Sequence, residues 1–416
     1  MREILFLAHR IPYPPDKGDK IRSYNILKGL AQQYRVHLGA FIDDPDDMKH
    51  GDHLRSLCAS VYLPRLLPLV GQIRGLPSTV AGAPLSVARY RHTRFSNWVT
   101  TTMNTHPINA VYAFSAAIGT YALLPAPYPM RRIMDFVDVD SEKWRQYATS
   151  SRFPMNMIYR REYKTLAHVE RQLAEAFDTS IFVTEEEAAL FRNANPNLSQ
   201  RVCAIGNGID LNYFDASVPQ PNPYPDEDPR IVFTGAMDYQ ANIDGVVWFC
   251  QNVWPLIRAV VSRAQFYIVG QRPSPAVKRL ELIPGVVVTG RVPDVRPYLA
   301  HANVVCAPLR VGRGIQNKVL EALAMGRPVV GTGSAWEGLG RCEAYLGERV
   351  DEPEAFAKAV LQRLSGPHED VSLRRNWLIT RFSWDHSVNE LIKLLTVPQD
   401  IQDANATPKF SRGLSG

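Results

Sequence analysis

Residues 307–330 read APLRVGRGIQNKVLEALAMGRPVV and carry the clearest structural pattern of the chain. A short apolar run ends at Ala307, a loop with two glycines follows, and an apolar spacing typical of a helix begins near Asn317. A second apolar run starts at Pro328. The stretch therefore predicts a strand, a glycine-rich loop, a helix and another strand, which is the repeating unit of a parallel sheet covered by helices.

The same alternation extends in both directions along the chain. We predict strands at residues 4–8, 36–41, 110–113, 132–136 and 179–183 in the first half, and at 230–234, 265–269, 286–289, 304–307 and 328–331 in the second. Helical spacing occurs at residues 20–33, 159–176, 243–260, 295–300 and 317–325. The sequence thus predicts an α/β protein with two doubly wound domains, residues 1–205 and 206–377, and a disordered tail at residues 397–416.

Composition narrows the class of protein and its partners. Of the 416 residues, 45% are hydrophobic and 21% are charged, which is typical of a soluble globular protein. The net charge of +6 fits an anionic ligand or an anionic membrane surface, but it also fits proteins that bind neither. The chain has no Lys/Arg block and no aromatic ladder of the kind that single-stranded nucleic acid needs. Nucleic acid is therefore not an expected partner.

Cysteine usage and the opening residues indicate the compartment. The five cysteines are scattered without a Cys-x-x-Cys pair, so neither a disulfide framework nor a zinc site is expected. The chain enters its first predicted strand directly, without the longer apolar stretch of a signal peptide, and no apolar run approaches the ~20 residues of a spanning helix. We predict a cytoplasmic protein, with the inner face of the cell membrane as a second possibility.

The start of the helix predicted at residues 317–325 carries positive charge. Arg313 and Lys318 lie where a structural helix usually has acids, and helix amides and glycine loops attract phosphate. This inversion favours a diphosphate site over a plain capping loop. Glu321, three residues after Lys318, is either its ion-pair partner or a carboxylate that accepts hydrogen bonds from sugar hydroxyls.

Residues 321–330 resemble the second half of the signature of glycosyltransferase family 4, Glu-x7-Glu followed by Ala-x-Ala-x-Gly-x-Pro-Val-Val. The first acid of that pattern, which contacts the donor sugar in the family, is replaced by Arg313. The stretches GIQNKVLE at 314–321 and HRIPYPPDKGDKIR at 9–22 are similar to a subgroup of sugar transferases associated with exosortase/PEP-CTERM exopolysaccharide systems. The resemblance covers about the first 395 residues.

This resemblance implies a GT-B fold, with two facing Rossmann-like domains and a C-terminal helix at residues 378–396 that crosses back to the first domain. It also implies a nucleotide diphosphate sugar as donor. Relatives often have an Arg and a Lys after the first glycine loop of the second domain; residues 237–244 have neither, so Arg313 or Lys318 is expected to supply the charge. The implied donor-binding residues are Gly18, Gly235, Ala236, Gly290, Arg291, Val292, Arg313, Gly314, Ile315, Gln316, Asn317, Lys318 and Glu321.

Some of these glycines have a simpler interpretation. Gly18 fits an ordinary strand-to-helix turn, and Gly290 fits the end of a strand. No Asp-x-Asp motif, Walker loop or Ser/His/Asp arrangement stands out, so no metal or other cofactor is expected.

Three acids, Asp135, Asp138 and Asp140, follow one another at the end of the strand predicted at 132–136. Carboxylates are seldom buried without partners, and family members often have a catalytic or sugar-contacting acid near this place. The predicted catalytic residues are Asp138, then Asp135, with Lys318 and Glu321. A helix cap is the alternative for Asp140 or Ser141.

Residues 61–76, VYLPRLLPLVGQIRGL, are apolar, broken by proline and carry two arginines. They are either a loop and short helix packed on their own domain or a surface that enters the headgroup layer of a membrane. The second interpretation suits a lipid-linked acceptor.

The predicted function is that of a retaining glycosyltransferase, which moves a sugar from a nucleotide diphosphate sugar to a sugar or lipid-linked hydroxyl acceptor in exopolysaccharide or glycolipid biosynthesis. A GT-B nucleotide-sugar epimerase is one alternative, and it would change the donor without an acceptor. A non-catalytic nucleotide-binding or scaffold protein is the other, and it would bind nucleotide without turnover.

Overall fold

The computed structural model describes residues 1–66, 83–311, 315–339, 346–365 and 371–396. Several predictions fall outside the described residues: the tail at 397–416, residues 67–76 of the apolar segment, and the site residues Arg313 and Gly314. The described chain forms two α/β domains, and the predicted architecture is confirmed.

The first domain is built on a seven-stranded parallel sheet with the order β3-β2-β1-β4-β5-β6-β7. Its strands are β1 Glu3–Ala8, β2 Arg35–Ala40, β3 Ser60–Tyr62, β4 Ile108–Phe114, β5 Arg131–Val137, β6 Thr179–Phe182 and β7 Val202–Ala204. Its helices are α1 Gly18–Gln33, α2 Gly51–Leu57, α3 Leu85–Ala88, α4 Thr93–Thr105, α5 Ala116–Gly119, α6 Asp140–Ser150, α7 Met155–Ala176 and α8 Glu185–Ala194, with 3-10 turns at Pro45–His50, Thr120–Leu123 and Pro196–Arg201.

The second domain has a six-stranded parallel sheet with the order β10-β9-β8-β11-β12-β13. Its strands are β8 Arg230–Thr234, β9 Gln265–Val269, β10 Val286–Gly290, β11 Val304–Ala307, β12 Val329–Gly331 and β13 Gly347–Arg349. The helices that follow β8 are α9 Gln240–Trp248, α10 Trp254–Val260, α11 Pro275–Lys278, α12 Arg296–Ala300, α13 Asn317–Ala324, α14 Pro353–Ser365, α15 Val371–Phe382 and α16 Trp384–Thr396, with 3-10 turns at Arg279–Leu282 and Gly333–Ala335.

Both faces of each sheet are covered by helices, which explains the continuous apolar runs of the strands. All six residues of β1 are buried. Successive side chains of a strand point to opposite faces, so Leu5 and Leu7 belong to one core and Ile4 and Phe6 belong to the other. An alternating pattern would have exposed one face to water.

One predicted helix differs in the structure. Residues 243–260 form α9 and α10, separated by a π-helical turn at Phe249–Val253. Pro255 lies at the start of α10 and has no N–H to donate, so the regular hydrogen-bond ladder cannot run through this point.

The chain crosses between the domains twice, and the two crossings lie side by side. The first crossing follows β7, and the second joins α15 to α16. Ile209 N donates a 2.7 Å hydrogen bond to Phe382 O, and a Cβ on Gly208 would lie 2.3 Å from Trp384 N. Phe382 packs in the core of the second domain, whereas Trp384 packs in a core of the first.

Candidate functional site

Three adjacent strands of the second sheet end at glycines on the same edge. Gly235 follows β8, Gly270 follows β9, and Gly290 ends β10 with a φ of +67°. A Cβ on Gly270 would lie 1.7 Å from Gly235 O, so only glycine allows these two loops to meet. Because the loops after β8 and β9 lie so close together, space for a ligand is left at the carboxyl edge of the sheet.

A pocket of about 520 Å³ lies above these glycines, beside the start of α13. It is located where the strand order reverses, between β8 and β11, which is the usual ligand-binding position in open α/β sheets. Its lining residues are Thr234, Gly235, Ala236, Tyr239, Asn242, Val269, Gly270, Gln271, Arg291, Val292, Val295, Ile315, Gln316, Asn317, Lys318 and Glu321. The structure therefore brings together nine predicted donor-binding residues: Gly235, Ala236, Arg291, Val292, Ile315, Gln316, Asn317, Lys318 and Glu321.

Two other predicted donor-binding residues do not line this pocket. Gly290 precedes the lining residue Arg291 and ends its strand. Gly18 begins α1 in the first domain, is exposed, and has no atom within 4 Å of the position of a Cβ.

Lys318 is held in the pocket by a residue that sequence analysis missed. Its Nζ donates a 2.7 Å hydrogen bond to Asn242 Oδ1, and Asn242 Nδ2 donates to Ala236 O at 2.9 Å. Burial lowers the pKa of Lys318 to about 8, against the opposing charge of Glu321. Lys318 thus brings a cation to the glycine loop that follows β8, where residues 237–244 supply none.

Glu321 presents an unengaged carboxylate to the pocket. Burial raises its pKa to about 7, against the opposing effect of the Lys318 charge. Among the residues that the structure describes, none forms a hydrogen bond or ion pair with this carboxylate. Lys318 Nζ donates to Asn242, and within the described residues it forms no ion pair with Glu321 at contact distance, so Glu321 keeps its acceptor capacity for another group.

The start of α13 adds donors to the same wall of the pocket. Gln316 is the N-cap and makes no side-chain cap, and the first turn contains no acid. The first amides of a helix have no partner within the helix and carry a partial positive charge. This helix start therefore suits an anionic group, as the sequence pattern predicts.

The structure places Asp135 and Asp138 away from this pocket. Asp135 is fully buried, and its carboxylate accepts hydrogen bonds from Arg22 Nε at 3.0 Å, from Tyr112 and from Val137 N. In this structure Asp135 is the buried partner of Arg22. Asp138 is partly exposed and lies 2.9 Å from Lys143 Nζ.

The helix cap predicted at Asp140 or Ser141 is wrong. The N-cap of α6 is Val139, so both residues lie inside the helix. Asp140 pairs with Lys143 at 3.0 Å, and Ser141 donates its backbone N–H to Glu170 at 3.0 Å. The cap comes from another helix, which a local pattern does not reveal.

A group of three potential metal ligands lies at the opposite, amino-terminal edge of the first sheet. Within the described ranges, Glu3, His37 and His106 are the residues so grouped, and Arg35 Nη1 lies 3.1 Å from Glu3 Oε1. The pocket itself is lined by one carboxylate, Glu321. In the described part of the chain, no helix has the length and apolarity needed to cross a membrane.

Solved structures with the same fold extend over nearly the whole chain. HepE of Anabaena in complex with UDP has a TM-score of 0.61 at 16% identity, covering 95% of this chain and all of that one. A glycosyltransferase from Rickettsia africae has a TM-score of 0.64 at 12% identity, covering 97% and 100%. WaaG, a glycosyltransferase involved in lipopolysaccharide biosynthesis, has a TM-score of 0.53 at 16% identity, covering 96% and 99%.

Sequence comparison identifies the domain that holds the pocket. The comparison with curated proteins found no match. Residues 228–365 match the family model described as glycosyl transferases group 1. The chain thus has the GT-B fold, and the matched residues 228–365 lie in the domain that holds the pocket.

Proposed function

We propose that this protein is a glycosyltransferase that moves a sugar from a nucleotide diphosphate sugar to a hydroxyl acceptor. The observation that carries the proposal is the Glu321 carboxylate, which no described residue binds, beside the recessed ammonium of Lys318 at the start of α13. HepE, whose structure was solved with UDP-glucose, aligns over 95% of this chain and lends support.

Each group of the pocket has a role in this proposal. Glu321 accepts hydrogen bonds from the paired ribose hydroxyls, and the loops at Gly235, Ala236, Arg291 and Val292 let the backbone approach the nucleotide. Lys318 and the first amides of α13 stabilise the negative charge that grows on the leaving diphosphate. Electrostatic stabilisation of this kind is worth several kcal/mol in barrier height, about 3 kcal/mol for one donor. Because these groups supply positive charge, we propose transfer without a metal cofactor.

The finer features belong to the same proposal. The motif at residues 321–330 supports membership in family 4 and retention at the anomeric carbon. We propose that the first domain binds the acceptor, a sugar or lipid-linked hydroxyl, at the cytoplasmic side of a membrane during exopolysaccharide or glycolipid synthesis. Asp138, partly exposed after β5, remains the candidate there for contacting the acceptor.

The nucleotide site is tested by titrating UDP into the protein by calorimetry. Glu321→Gln and Lys318→Ala should each weaken binding at least tenfold, because each removes a hydrogen-bonding or charge contact worth about 1.5–3 kcal/mol. Glu281→Gln and Lys278→Ala are matched controls on the exposed surface of the same domain and should bind like the original protein. Unchanged affinity in both pocket variants would overturn the site. If UDP binds to none of these proteins, the same titration is repeated with the other nucleoside diphosphates.

The reaction class is tested with a nucleotide sugar, first alone and then with membrane extract as a source of acceptor. Transfer predicts that nucleoside diphosphate release depends on the acceptor. Conversion of the donor alone would favour the epimerase, and nucleotide binding without any turnover would favour the non-catalytic protein.

A further inference from the structure

The helices α6 and α7 form an antiparallel hairpin that extends from the first domain. Its base is fixed where Glu170 of α7 accepts a hydrogen bond from Ser141 N at 3.0 Å and another from Ser141 Oγ at 2.5 Å. At 1.5 Å per residue, the turn lies about 14–22 Å from this base, and the seven residues 155–161 of α7, about 10 Å, lie beyond its second attachment, which Glu162 makes to α3. We call residues 147–160 the hairpin tip.

The hairpin tip projects on the side of the molecule where the two domains face each other. Ser141 follows the carboxyl end of β5. Glu185, after β6, and Gly333, after β12, line one shared cavity of about 750 Å³, so the carboxyl edges of the two sheets are opposed. The tip therefore extends past the carboxyl edge of the first sheet, on the side that faces the second domain and its pocket.

Large apolar side chains cover the hairpin tip and are exposed to solvent. Phe153 is 77% exposed and Met157 is 63% exposed, and Tyr147, Met155 and Ile158 are exposed beside them. A surface cluster of this kind, on a projecting element of a protein, marks an interaction site because exposed apolar area is unfavourable in water.

Positive charge surrounds this apolar surface. From Lys143 to Val169 the sequence has six Lys or Arg residues and a single acid, Glu162. Two of the six are paired with acids that precede this range, Lys143 with Asp138 and Asp140 and Arg145 with Glu142, so the unpaired charge comes from the residues nearer the turn. Glu162 is buried, where it accepts hydrogen bonds from Leu85 N and Ser86 N, so it adds no negative charge to the exposed surface. Arg152, Arg160 and Lys164 are exposed. Apolar side chains bordered by Lys and Arg match the acyl chains and the anionic phosphates of a lipid surface.

We propose that the hairpin tip docks the protein onto an anionic lipid bilayer. Phe153 and Met157 enter the headgroup layer, and Arg152 and Arg160 bind lipid phosphates. Docking itself is independent of the proposed function. If that function also holds, this orientation brings the edge of the cleft to the membrane, where a lipid-linked hydroxyl can reach it.

The test is co-sedimentation of the full chain with phosphatidylcholine vesicles, with and without phosphatidylglycerol. The original protein should bind the mixed vesicles, and binding should weaken with salt. Phe153→Ser combined with Met157→Ser should lower the partition coefficient at least tenfold, and Arg152→Gln combined with Arg160→Gln should lower it and reduce its salt dependence. Leu282→Ser with Val260→Ser, two strongly exposed apolar residues of the second domain, is the matched control and should bind vesicles normally.

Two further measurements keep the outcomes separate. UDP titration of the same variants reports on the second domain, so loss of vesicle binding with intact nucleotide binding supports docking alone. Equal sedimentation of the tip variants and the original protein would refute the proposal. So would a dimer in solution that Phe153→Ser with Met157→Ser converts to a monomer, because the tip would then be a contact between two copies.

Discussion

Lys318 and Glu321 lie three residues apart on α13, and burial acts on their protonation in opposite directions. It lowers the pKa of the Lys318 ammonium to about 8 and raises the pKa of the Glu321 carboxyl to about 7. Desolvation penalises the charged form of each group, while their mutual attraction opposes it. Both charges are therefore sensitive to pH within the range in which cells operate.

We predict that nucleotide affinity is highest between about pH 7 and about pH 8. Below pH 7 Glu321 takes up a proton and loses acceptor capacity, and above pH 8 Lys318 loses its charge. Calorimetric titration with UDP across this range measures the profile. In Glu321→Gln the loss of affinity below pH 7 that comes from this carboxyl should disappear. Any loss that comes from ionisation of UDP itself is the same for both proteins. An acidic limb that persists unchanged in Glu321→Gln would contradict the assignment.

Asn242 is a positioning residue, and its removal should affect affinity through Lys318. The bond from Lys318 Nζ to Asn242 Oδ1 holds the ammonium beside the glycine loop. Asn242→Ala should weaken UDP binding about tenfold, in line with the loss of one hydrogen bond to a charged group. Gln240→Ala, an exposed residue two positions earlier on α9, is the control. Equal affinity of the two variants would show that Asn242 has no such role.

Residues that act through neighbours along the chain could be predicted, and those that act through distant partners could not. Lys318 and Glu321 lie on one helix, so spacing alone placed them together. Asn242 meets Lys318 across 76 residues, and Arg22 meets Asp135 across 113. A run of acids at a strand end indicates polar chemistry, but it does not reveal that a buried arginine from α1 already binds Asp135.

At the level of elements, α7 supports two other helices through buried glutamates. Glu162 accepts from Leu85 N at 2.8 Å and from Ser86 N at 2.9 Å at the start of α3. Glu170 does the same for α6 at Ser141. The two positions are eight residues apart and share one face of α7. A single long helix thus supplies the caps that the sequences of α3 and α6 lack.

Burial makes the contribution of Glu170 to stability depend on pH. Its pKa is raised to about 8 from an ordinary value of 4.5, so the folded protein keeps a proton that the unfolded chain releases. The free energy of unfolding should therefore fall as pH rises from about 4.5 to about 8. Glu170→Gln cannot ionise, and relative to the original protein it should gain about 1–3 kcal/mol between pH 5 and pH 8.

Denaturant unfolding at both pH values measures this gain. Glu175→Gln, on the exposed side of α7, is the control and should show none. A constant difference between Glu170→Gln and the original protein at the two pH values would contradict the prediction.

Short strands at the edges of the sheets are one part of the fold that could not be predicted, whereas the equally short inner strand β12 was predicted at residues 328–331. The strands β3, β7 and β13 have three residues each, too few to show a period of apolar side chains. They lie at or near the edges of their sheets, where fewer side chains need to be buried. The central strands β1 and β8 are buried throughout and apolar in their middle residues because helices cover both faces, and the sequence pattern located them well.

At the level of the whole molecule, the two domains are joined by two crossings of the chain that lie side by side. Ser387 Oγ donates to Gly206 O at 2.8 Å, and Arg22 Nη1 donates to Asn207 Oδ1 at 2.9 Å. The first crossing is thus bound by α16 on one side and by α1 on the other.

Gly208→Ala should disturb this connection directly. The added Cβ would lie 2.3 Å from Trp384 N and 2.6 Å from Ser383 C, which are backbone atoms that cannot rotate away. We expect a loss of about 1–3 kcal/mol in the free energy of unfolding. Thermal and denaturant unfolding measure this loss, with Gly18→Ala, where a Cβ has open space, as the control. Equal free energies of unfolding for Gly208→Ala and Gly18→Ala would show that the two crossings can move apart without a loss of stability.

The second crossing also sets the order in which the protein can be completed on the ribosome. The last strand of the first domain ends at Ala204, but α16, which packs Val388 against Gly29 of α1, begins 180 residues later, at Trp384. At about 5–20 residues per second, translation of that interval takes on the order of 10–40 s. During this time the nascent first domain lacks the cover that Val388 later provides for one face of α1, so the first domain is completed only after the second domain has been synthesised.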